Sequence, residues 1–423
     1  MGFLDLRICV LGAGLIGVSS AYFLAKSGNE VTVIDRQSGP GLETSFANGG
    51  QLSASQSAPW ASPKNLRLVL TSIGKKDSPL FYKIRSDPQL WSWSIRFLMQ
   101  CSNKKQIANT ISNLKIAIYN REVLKSIQKN IEIEYDFKSL GILQLIRNIK
   151  TMEGKISDSQ FLEDMGCKNQ ILSRESCLKL EPALKDNYSQ IIGGISIPSD
   201  ASGDAHKFTR GLEAECKKLG VKFKYNEEIT HIKVDNNKIE AVITNENENK
   251  ADCFLMSLGS YLPNLVKSIK LKVPIYPIKG YSITVPVGRS DKAPHISLTD
   301  EDNKIVYSRL GERLRVAGTA EFNGYDKTIR KDRIQPLINN ARKQFPNAGE
   351  YTDALPWIGL RPATPDGVPI IDKTPIEKLY INSGHGHLGW TMALASAKMI
   401  SDVINHKKTD IDISNYSLNR FNS

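Results

Sequence analysis

Three short stretches carry residue types that can do chemistry. The first is Gly12-Ala13-Gly14-Leu15-Ile16-Gly17, a G-x-G-x-x-G run that follows an apolar segment and precedes a helical one. Gly12 permits the tight turn, Gly14 lets the backbone approach a pyrophosphate, and Gly17 lets a helix pack close to a strand. The helix start then presents free N–H groups and a partial positive charge to phosphate. Asp35 stands at the end of the next apolar run, Val31 to Ile34, where it can accept hydrogen bonds from ribose hydroxyls. An acid there disfavours a 2′-phosphate, so FAD or NAD fits and NADP does not. Arg36 lies beside the adenine or ribose, or is a solvated charge.

The second stretch, Gly384-His385-Gly386-His387-Leu388-Gly389, matches the same pattern between a strand and a helix. No further strand ending in an acid follows it, so a second dinucleotide site is not expected. It is a second close backbone approach to a helix start, suited to the negative charge of a reduced flavin ring. His385 and His387 either hydrogen-bond the backbone of a glycine loop or touch flavin or substrate. No third ligand is spaced for a metal. The third stretch, Trp357 to Gly367, is crowded with Gly and Pro and reads as a structured loop. Within it Arg361 sits between Leu360 and Pro362, where a surface arginine would gain little. A guanidinium can grip a carboxylate through two parallel bonds. The competing role is an ion pair with Asp366 or another acid.

The elements that must position these residues follow from periodicity. Arg7 to Leu11, a helix to about Lys26 and Val31 to Ile34 make a βαβ opening. Ser38 to Pro63 is a long turn-rich loop, and loops of that length inside a domain are usually functional. Residues 89–130 read as helical. Strands are expected at Gly141 to Ile146, Gly194 to Ile197, Val221 to Phe223, Phe254 to Leu258 and Leu379 to Asn382. Phe208 to Leu219 and Trp390 to Ile404 read as helices. Tyr281 to Val285, Ile305 to Arg309 and Leu314 to Ala317 suggest an antiparallel sheet. The expected fold is α/β: a Rossmann-like nucleotide domain with an inserted α+β substrate domain on an antiparallel sheet. Its approximate boundaries are 1–85, 190–275 and 350–423 for the first and 86–189 and 276–349 for the second.

At 423 residues the chain is long enough for two domains, and its 40% hydrophobic and 24% charged content is that of a globular protein. The six cysteines include no C-x-x-C and read as reduced thiols of a cytoplasmic protein. The net charge of +12 comes without a basic run, a Cys/His finger or an aromatic-basic RNA motif, so nucleic acid is not an expected partner. The apolar Ile8 to Ala25 stretch is interrupted by three glycines and reads as strand, turn and helix, not as an anchor. A G-x-S-x-G nucleophile motif is absent.

Taken together these motifs resemble the FAD-dependent D-amino-acid oxidase superfamily, most closely the small-subunit type of bacterial D-amino acid dehydrogenase. Beyond the fingerprint, the matching pieces are Glu43–Gln51, Ala58–Trp60, Leu258–Tyr261, Pro277–Ser282, Gly359–Pro362, Thr364–Gly367 and Gly384–Met392. The resemblance covers nearly the whole chain. It implies FAD contacts from Val10, Leu11, the six fingerprint residues, Asp35 and Arg36. It adds Ser45, Asn48, Gly49 and Gln51 along the pyrophosphate and flavin, Gly259 and Ser260 at a strand end, and Gly386, Leu388, Gly389, Trp390 and Thr391 under the pyrimidine edge. Arg361 is similar in position to a carboxylate-binding arginine. Lys279 and Tyr281 fall where the substrate sheet should meet the flavin, and His387 aligns near a second arginine of some relatives. No counterpart of the covalent flavin cysteine stands near the final glycine motif, which implies noncovalent FAD.

The expected function is oxidative deamination of a D-amino acid to a 2-oxo acid and ammonia, by hydride transfer from the α-carbon to FAD. Electrons are expected to pass to a quinone or other respiratory acceptor. Glycine or sarcosine oxidation and D-hydroxyproline dehydrogenation on the same fold are the alternatives, with a non-enzymatic dinucleotide-binding module a distant third. Trp91, Trp93, Phe97 and Leu98, flanked by Arg85, Arg96, Lys104 and Lys105, suit either the core or an anionic lipid interface. The latter implies a cytoplasmic protein, peripheral on the inner face of the cell membrane.

Overall fold

The computed structural model describes residues 5–72, 80–82, 86–288 and 292–421. Arg7–Leu11 lies at the heart of a six-stranded sheet, between Cys253–Met256 and Glu30–Ile34. Lys222–Lys224 extends it on one side, and Leu379–Ser383 followed by Ile370–Lys373 on the other. Every pairing is parallel except that last one. Both faces are covered, which is why the central strand reads as an unbroken apolar run. Ile8 and Val10 point into one core with the helices Leu15–Lys26, Ala205–Lys218 and Gly389–Ile404. Cys9 and Leu11 point into the other, roofed by the hairpin Ile229–Asp235 and Lys238–Thr244. The helix Gly389–Ile404 is buried almost all round, and its alanines and serines let it lie close against Leu15–Lys26.

The second sheet has nine strands. Its order runs Leu355–Ala363, Tyr276–Pro286, Arg313–Phe322, Ile305–Leu310, Ser297–Asp300, Ile142–Ile146, Gly193–Ile197, Gln170–Ser173, with Leu80–Tyr82 added against Arg313–Phe322. Pairing is antiparallel apart from that added strand and the Ser297–Asp300 contact with Ile142–Ile146. One face packs on the helix Lys331–Gln344 through Tyr281, Ile283, Tyr307, Leu337 and Phe345. The architecture is the expected α/β fold with a Rossmann-like half and an antiparallel half.

Several expectations shift. The Gly- and Pro-rich stretch at 357–367 is not a loop: most of it belongs to the strand Leu355–Ala363. That strand is at the sheet edge, where a proline's missing N–H costs no ladder bond. The helical region 89–130 is two helices, Pro88–Gln100 and Asn103–Asn130, parted where the Ser102 hydroxyl caps the second. The expected boundaries at 190 and 350 cut through the nine-stranded sheet, because Gly193–Ile197 and Leu355–Ala363 both pair within it. The long helix Asn103–Asn130 packs on Gly389–Ile404 and so serves the parallel half. No helix among the described residues is long and apolar enough to cross a membrane.

Candidate active site

A cavity of about 1480 Å³ runs between the two sheets. The fingerprint turn forms one end. Gly12 has φ +105°, and a Cβ there would sit 2.8 Å from the Ser257 carbonyl oxygen. A Cβ on Gly17 would lie 1.8 Å from the Gly12 carbonyl oxygen, so only glycine lets the helix close on the turn. At Gly14 the nearest atom a Cβ would meet is Ser45 Oγ at 4.0 Å, so this backbone faces open cavity. The helix it opens has no side-chain cap, and Leu15 N reaches only Ser45 Oγ, at 3.3 Å. The helix Gly389–Ile404 also starts on the cavity wall, again with no side-chain cap and no acid in its first turn. Two partial positive charges therefore converge on one space.

Asp35 lines this end. One carboxylate oxygen accepts from Ala13 N at 2.6 Å and the other from Gln37 N at 2.8 Å. The carboxylate thus braces the fingerprint turn, and each oxygen keeps a lone pair for a ribose hydroxyl. Burial raises its pKa, while the two amide donors oppose the rise. Arg36 is no solvated charge. It pairs with Glu43 at 2.6 Å, and its guanidinium lies 3.9 Å from the Tyr261 ring centroid. Lys327 also reaches Glu43, at 2.9 Å. Glu43, Tyr261 and Lys327 had no role in the sequence reading, because only the fold brings them together.

Replacing Asp35 with Asn keeps the size but puts an NH₂ group against one of two backbone donors. A charge-assisted bond is worth about 1.5–3 kcal/mol, so FAD affinity is expected to fall roughly tenfold or more. Flavin titration of the apoprotein checks this, and unchanged affinity would remove Asp35 from the ribose role.

The loop after Glu43 lies along the wall through Ser45, Asn48, Gly49 and Gln51. Asn48 Oδ1 accepts from Gly50 N, and Gln51 Nε2 donates to Ser297 and Thr299. Buried Asp200, not foreseen, pins the next turn by accepting from the Ser53 and Ser55 hydroxyls, each at 2.7 Å, and from Ala54 N. Gly259 and Ser260 lie on the wall, and the Ser260 hydroxyl donates to the Leu360 carbonyl at 2.8 Å. Gly386, Leu388, Gly389, Trp390 and Thr391 line the cavity as well, and Ser53 N donates to the Thr391 hydroxyl at 3.1 Å. Leu15 and Ile16 are also on the wall, but Ala13 and Gly17 lie just behind it. Val10 and Leu11 are corrected: both are fully buried in the strand and carry the turn without facing the cavity.

Arg361 is on the wall of the nine-stranded half. It has no acidic partner among the described residues; Asp366, the sequence candidate, is held by Arg420 at 2.7 Å. Its one hydrogen bond runs from Nη1 to the Thr319 carbonyl at 3.0 Å. Burial without a counter-charge pulls its pKa down to about 10, so it stays cationic at neutral pH. The guanidinium lies over the backbone of Gly280, where a Cβ would come within 2.3 Å of Cζ. Trp60, which carried no assigned role, is 5.8 Å from the guanidinium and stacks on His387 at 5.2 Å and 13°. The His387 side chain is exposed to the open cavity. Desolvation by the cavity walls, helped by the Arg361 charge, lowers its pKa to about 4, so it is neutral near pH 7. His385 instead meets the Ser396 hydroxyl at 3.0 Å in the interior.

Two candidates move away from the chemistry. Lys279 is fully buried off the cavity wall, donating to the Thr328 carbonyl and lying 3.7 Å from both Glu321 and Asp326. Tyr281 gives the cavity only its strand position: its hydroxyl donates to Glu321 at 2.6 Å within the buried core below. Burial and that acid raise the phenol's pKa. The strand alternates faces, and residues 279 and 281 share the one turned from the cavity.

A Rossmann-like half with two uncapped helix starts, facing a sheet whose half-buried Arg361 has no acidic partner among the described residues, defines a dinucleotide-dependent oxidoreductase. Residues 7–403 match the family described as FAD dependent oxidoreductase, and the chain belongs to it. It is 41% identical over 419 residues to the D-amino acid dehydrogenase of Paramagnetospirillum magneticum, covering 99% of each chain. It is 39% identical to D-amino acid dehydrogenase 1 of Mesorhizobium japonicum, covering 96% of this chain and 97% of that one. Among solved structures it resembles glycine oxidase from Geobacillus kaustophilus, with TM-score 0.75, 19% identity and coverage of 98% and 99%. L-proline dehydrogenase from P. horikoshii is alike at TM-score 0.75, 20% identity and coverage of 98% and 97%. Those two likenesses concern the fold. The residues fit FAD: the open approach at Gly14, the two helix starts and the buried, unpartnered Ser257 hydroxyl on the wall are complementary to a long, phosphate-bearing, polar group.

Proposed function

We propose that this chain oxidises D-amino acids at the α-carbon, releasing a 2-oxo acid and ammonia after hydrolysis of the imino acid. The observation that carries this reading is Arg361, a half-buried cation with no acidic partner among the described residues, on the wall of the cavity at which two helices start. Bound FAD supplies the hydride acceptor. Arg361 takes the substrate carboxylate as a two-toothed ligand and so orients the α-hydrogen. Trp60 and neutral His387 stack on each other and wall the site beside it without adding charge. Asp35, the fingerprint amides and the start of Gly389–Ile404 hold the noncovalent cofactor. The substrate amine reacts in its neutral form, and its lone pair drives loss of the α-hydrogen without a side-chain base. The test is an anaerobic panel of D- and L-amino acids, glycine and sarcosine, following flavin bleaching. Bleaching by D-amino acids is expected. Bleaching by glycine and sarcosine alone would reassign the substrate.

The electrons pass to a quinone or another respiratory acceptor at the cytoplasmic face of an anionic membrane. Support comes from the helix Pro88–Gln100. Trp91, Ile95, Leu98 and Met99 fall on one face at helical spacing and are 46–60% exposed, with Ile107 and the basic Lys104 and Lys105 adjoining. Aromatic and aliphatic side chains beside lysines suit a lipid interface. Trp93 and Phe97 do not belong to that face: they stack on each other toward the core, and the Trp93 indole donates to the Ala363 carbonyl. Arg85 lies outside the described residues. The double variant Ile95→Asp, Leu98→Asp is expected to abolish flotation with phosphatidylglycerol vesicles while dye reduction continues. Wild-type flotation should weaken with salt, since each well-placed lysine adds about 1 kcal/mol by electrostatics. Flotation unaffected by the double variant would sink this surface. Stopped-flow reoxidation that is faster with oxygen than with a quinone would sink the acceptor.

A further inference from the structure

Lys155, Lys304, Glu301 and Gln56 form a polar cluster on the wall of the same cavity, apart from the fingerprint turn and from Arg361. Glu301 follows the strand Ser297–Asp300, Lys304 leads into Ile305–Leu310, and Lys155 comes from the helix Ile149–Asp164. One Glu301 oxygen accepts from Lys155 at 2.7 Å and from Gln56 Nε2 at 3.0 Å, the other from Lys304 at 3.2 Å. Burial alone would raise its pKa, but the lysines and Gln56 outweigh burial and hold it at about 2. Its acceptors are therefore turned to the protein. The lysines differ. An ammonium carries three donors, and each lysine uses one on Glu301, its one hydrogen-bonded partner among the described residues. Both side chains keep exposed surface, 20% for Lys155 and 51% for Lys304.

Two routes bring this cluster beside Arg361. Along the sheet, the guanidinium ends on the Thr319 carbonyl, in the strand Arg313–Phe322. The next strand begins with Ile305 opposite Gly318, so the Lys304 backbone lies one strand spacing further, about 5 Å. Over the sheet, Trp60 lies 5.8 Å from the guanidinium and stacks on His387, whose ring neighbours the Gln56 backbone. A glutamine side-chain oxygen is four bonds from its α-carbon, a reach of about 5 Å.

We propose that Lys155 and Lys304 form the subsite for the substrate's side chain and select D-amino acids that end in an uncharged acceptor oxygen, D-glutamine and D-asparagine above all. This rests on the reading of Arg361 as the partner of the substrate carboxylate. Charge at the subsite is already balanced. Glu301 and Asp302 offset the two lysines, and exposed Asp158 lines the wall three residues from Lys155. Asp302 itself accepts from Arg147 N, Asn148 and Thr151. An anionic side chain thus meets no net positive field. A cationic one faces two ammonium groups whose carboxylate is engaged. An apolar one strips water from the ammonium donors and replaces none of it. A carboxamide oxygen accepts from them without adding charge.

The test compares substrates of similar shape on the holoenzyme: D-glutamine against D-methionine, and D-asparagine against D-leucine, each as kcat/KM with an artificial dye. The amide is expected to be favoured about tenfold or more in at least one pair, as one charge-assisted hydrogen bond implies. Lys155→Met and Lys304→Met keep length and lose the donors. Each should lower that ratio, and the double variant should bring it within about twofold of one. Lys155→Arg keeps charge and donors and should preserve it. Flavin content and thermal melts show that each variant is folded, and the single variants decide the matter if the double variant is not. Ratios near one in the wild type, or ratios that the methionine variants leave unchanged, would overturn the subsite. D-Glutamate used faster than D-glutamine would overturn the selection of an uncharged side chain. If D-alanine bleaches the flavin and these ratios fail, the subsite alone falls. A flavin that no D-amino acid bleaches would remove the substrate reading itself.

Discussion

Arg361→Ala is expected to lower kcat/KM for D-alanine by roughly 10²–10³-fold while flavin stays bound. Removing one member of a buried ionic contact costs about 3–5 kcal/mol, and each 1.4 kcal/mol or so is tenfold. The effect should be largest on substrate capture, because Arg361 is the cation assigned here to the substrate carboxylate. Arg361→Lys keeps the charge and loses the fork, and roughly a 10- to 100-fold rise in KM is expected. The stability effect should run the other way. The guanidinium makes one protein hydrogen bond and has no acid to offset its desolvation, which is what holds its pKa near 10. Arg361→Leu should therefore melt no lower than the parent in the absence of substrate, the usual opposition of stability and function at a binding site. Steady-state kinetics, flavin content and thermal melts on the same preparations check all three. Wild-type kinetics in Arg361→Lys would move the carboxylate site elsewhere.

What could be read in advance divides along a physical line. The fingerprint, Asp35 and the second glycine motif are encoded within a few residues, as turn, strand end and helix start, so their spacing sufficed. Arg361 was legible for a different reason: a cation among Leu, Pro and Gly needs an explanation wherever it falls. Trp60, Gly280 and Thr319 were not legible, because their roles depend on how strands far apart in sequence align. Gly280 faces Gly359 only through the pairing of Tyr276–Pro286 with Leu355–Ala363, and Thr319 meets Arg361 only where the register of two strands shifts. Lys279 and Tyr281 failed for a related reason. Alternation says that neighbours face opposite ways, but it does not say which face meets the cofactor, and a one-residue slip exchanges them. The stretch 357–367 failed because Gly and Pro density marks loops and edge strands alike.

Gly280→Ala is expected to mimic the loss of Arg361 from the opposite strand without damaging the fold. Gly280 lies within the strand Tyr276–Pro286 and has no left-handed φ, so its backbone accepts a side chain. The three nearest atoms to an added Cβ are Cζ, Nη1 and Nη2 of Arg361, at 2.3–2.4 Å. Something must shift, and what shifts is the far end of a flexible side chain, not the sheet. Stability should therefore hold or rise slightly, since Gly to Ala in a compatible backbone adds about 0.4–1 kcal/mol by restricting the unfolded chain. The guanidinium, however, must leave its place over the strand and with it the Thr319 carbonyl. A misplacement of about 1 Å costs on the order of 10²-fold in rate, so kcat/KM for D-alanine should fall by about that factor with flavin content unchanged. The decisive measurement is the double variant. If Gly280 acts only by making room for the guanidinium, then adding Gly280→Ala to Arg361→Ala should cost almost nothing further, a strong departure from additivity for residues in contact. Additive losses would mean that Gly280 meets the substrate or the flavin directly and that its role in seating Arg361 is wrong.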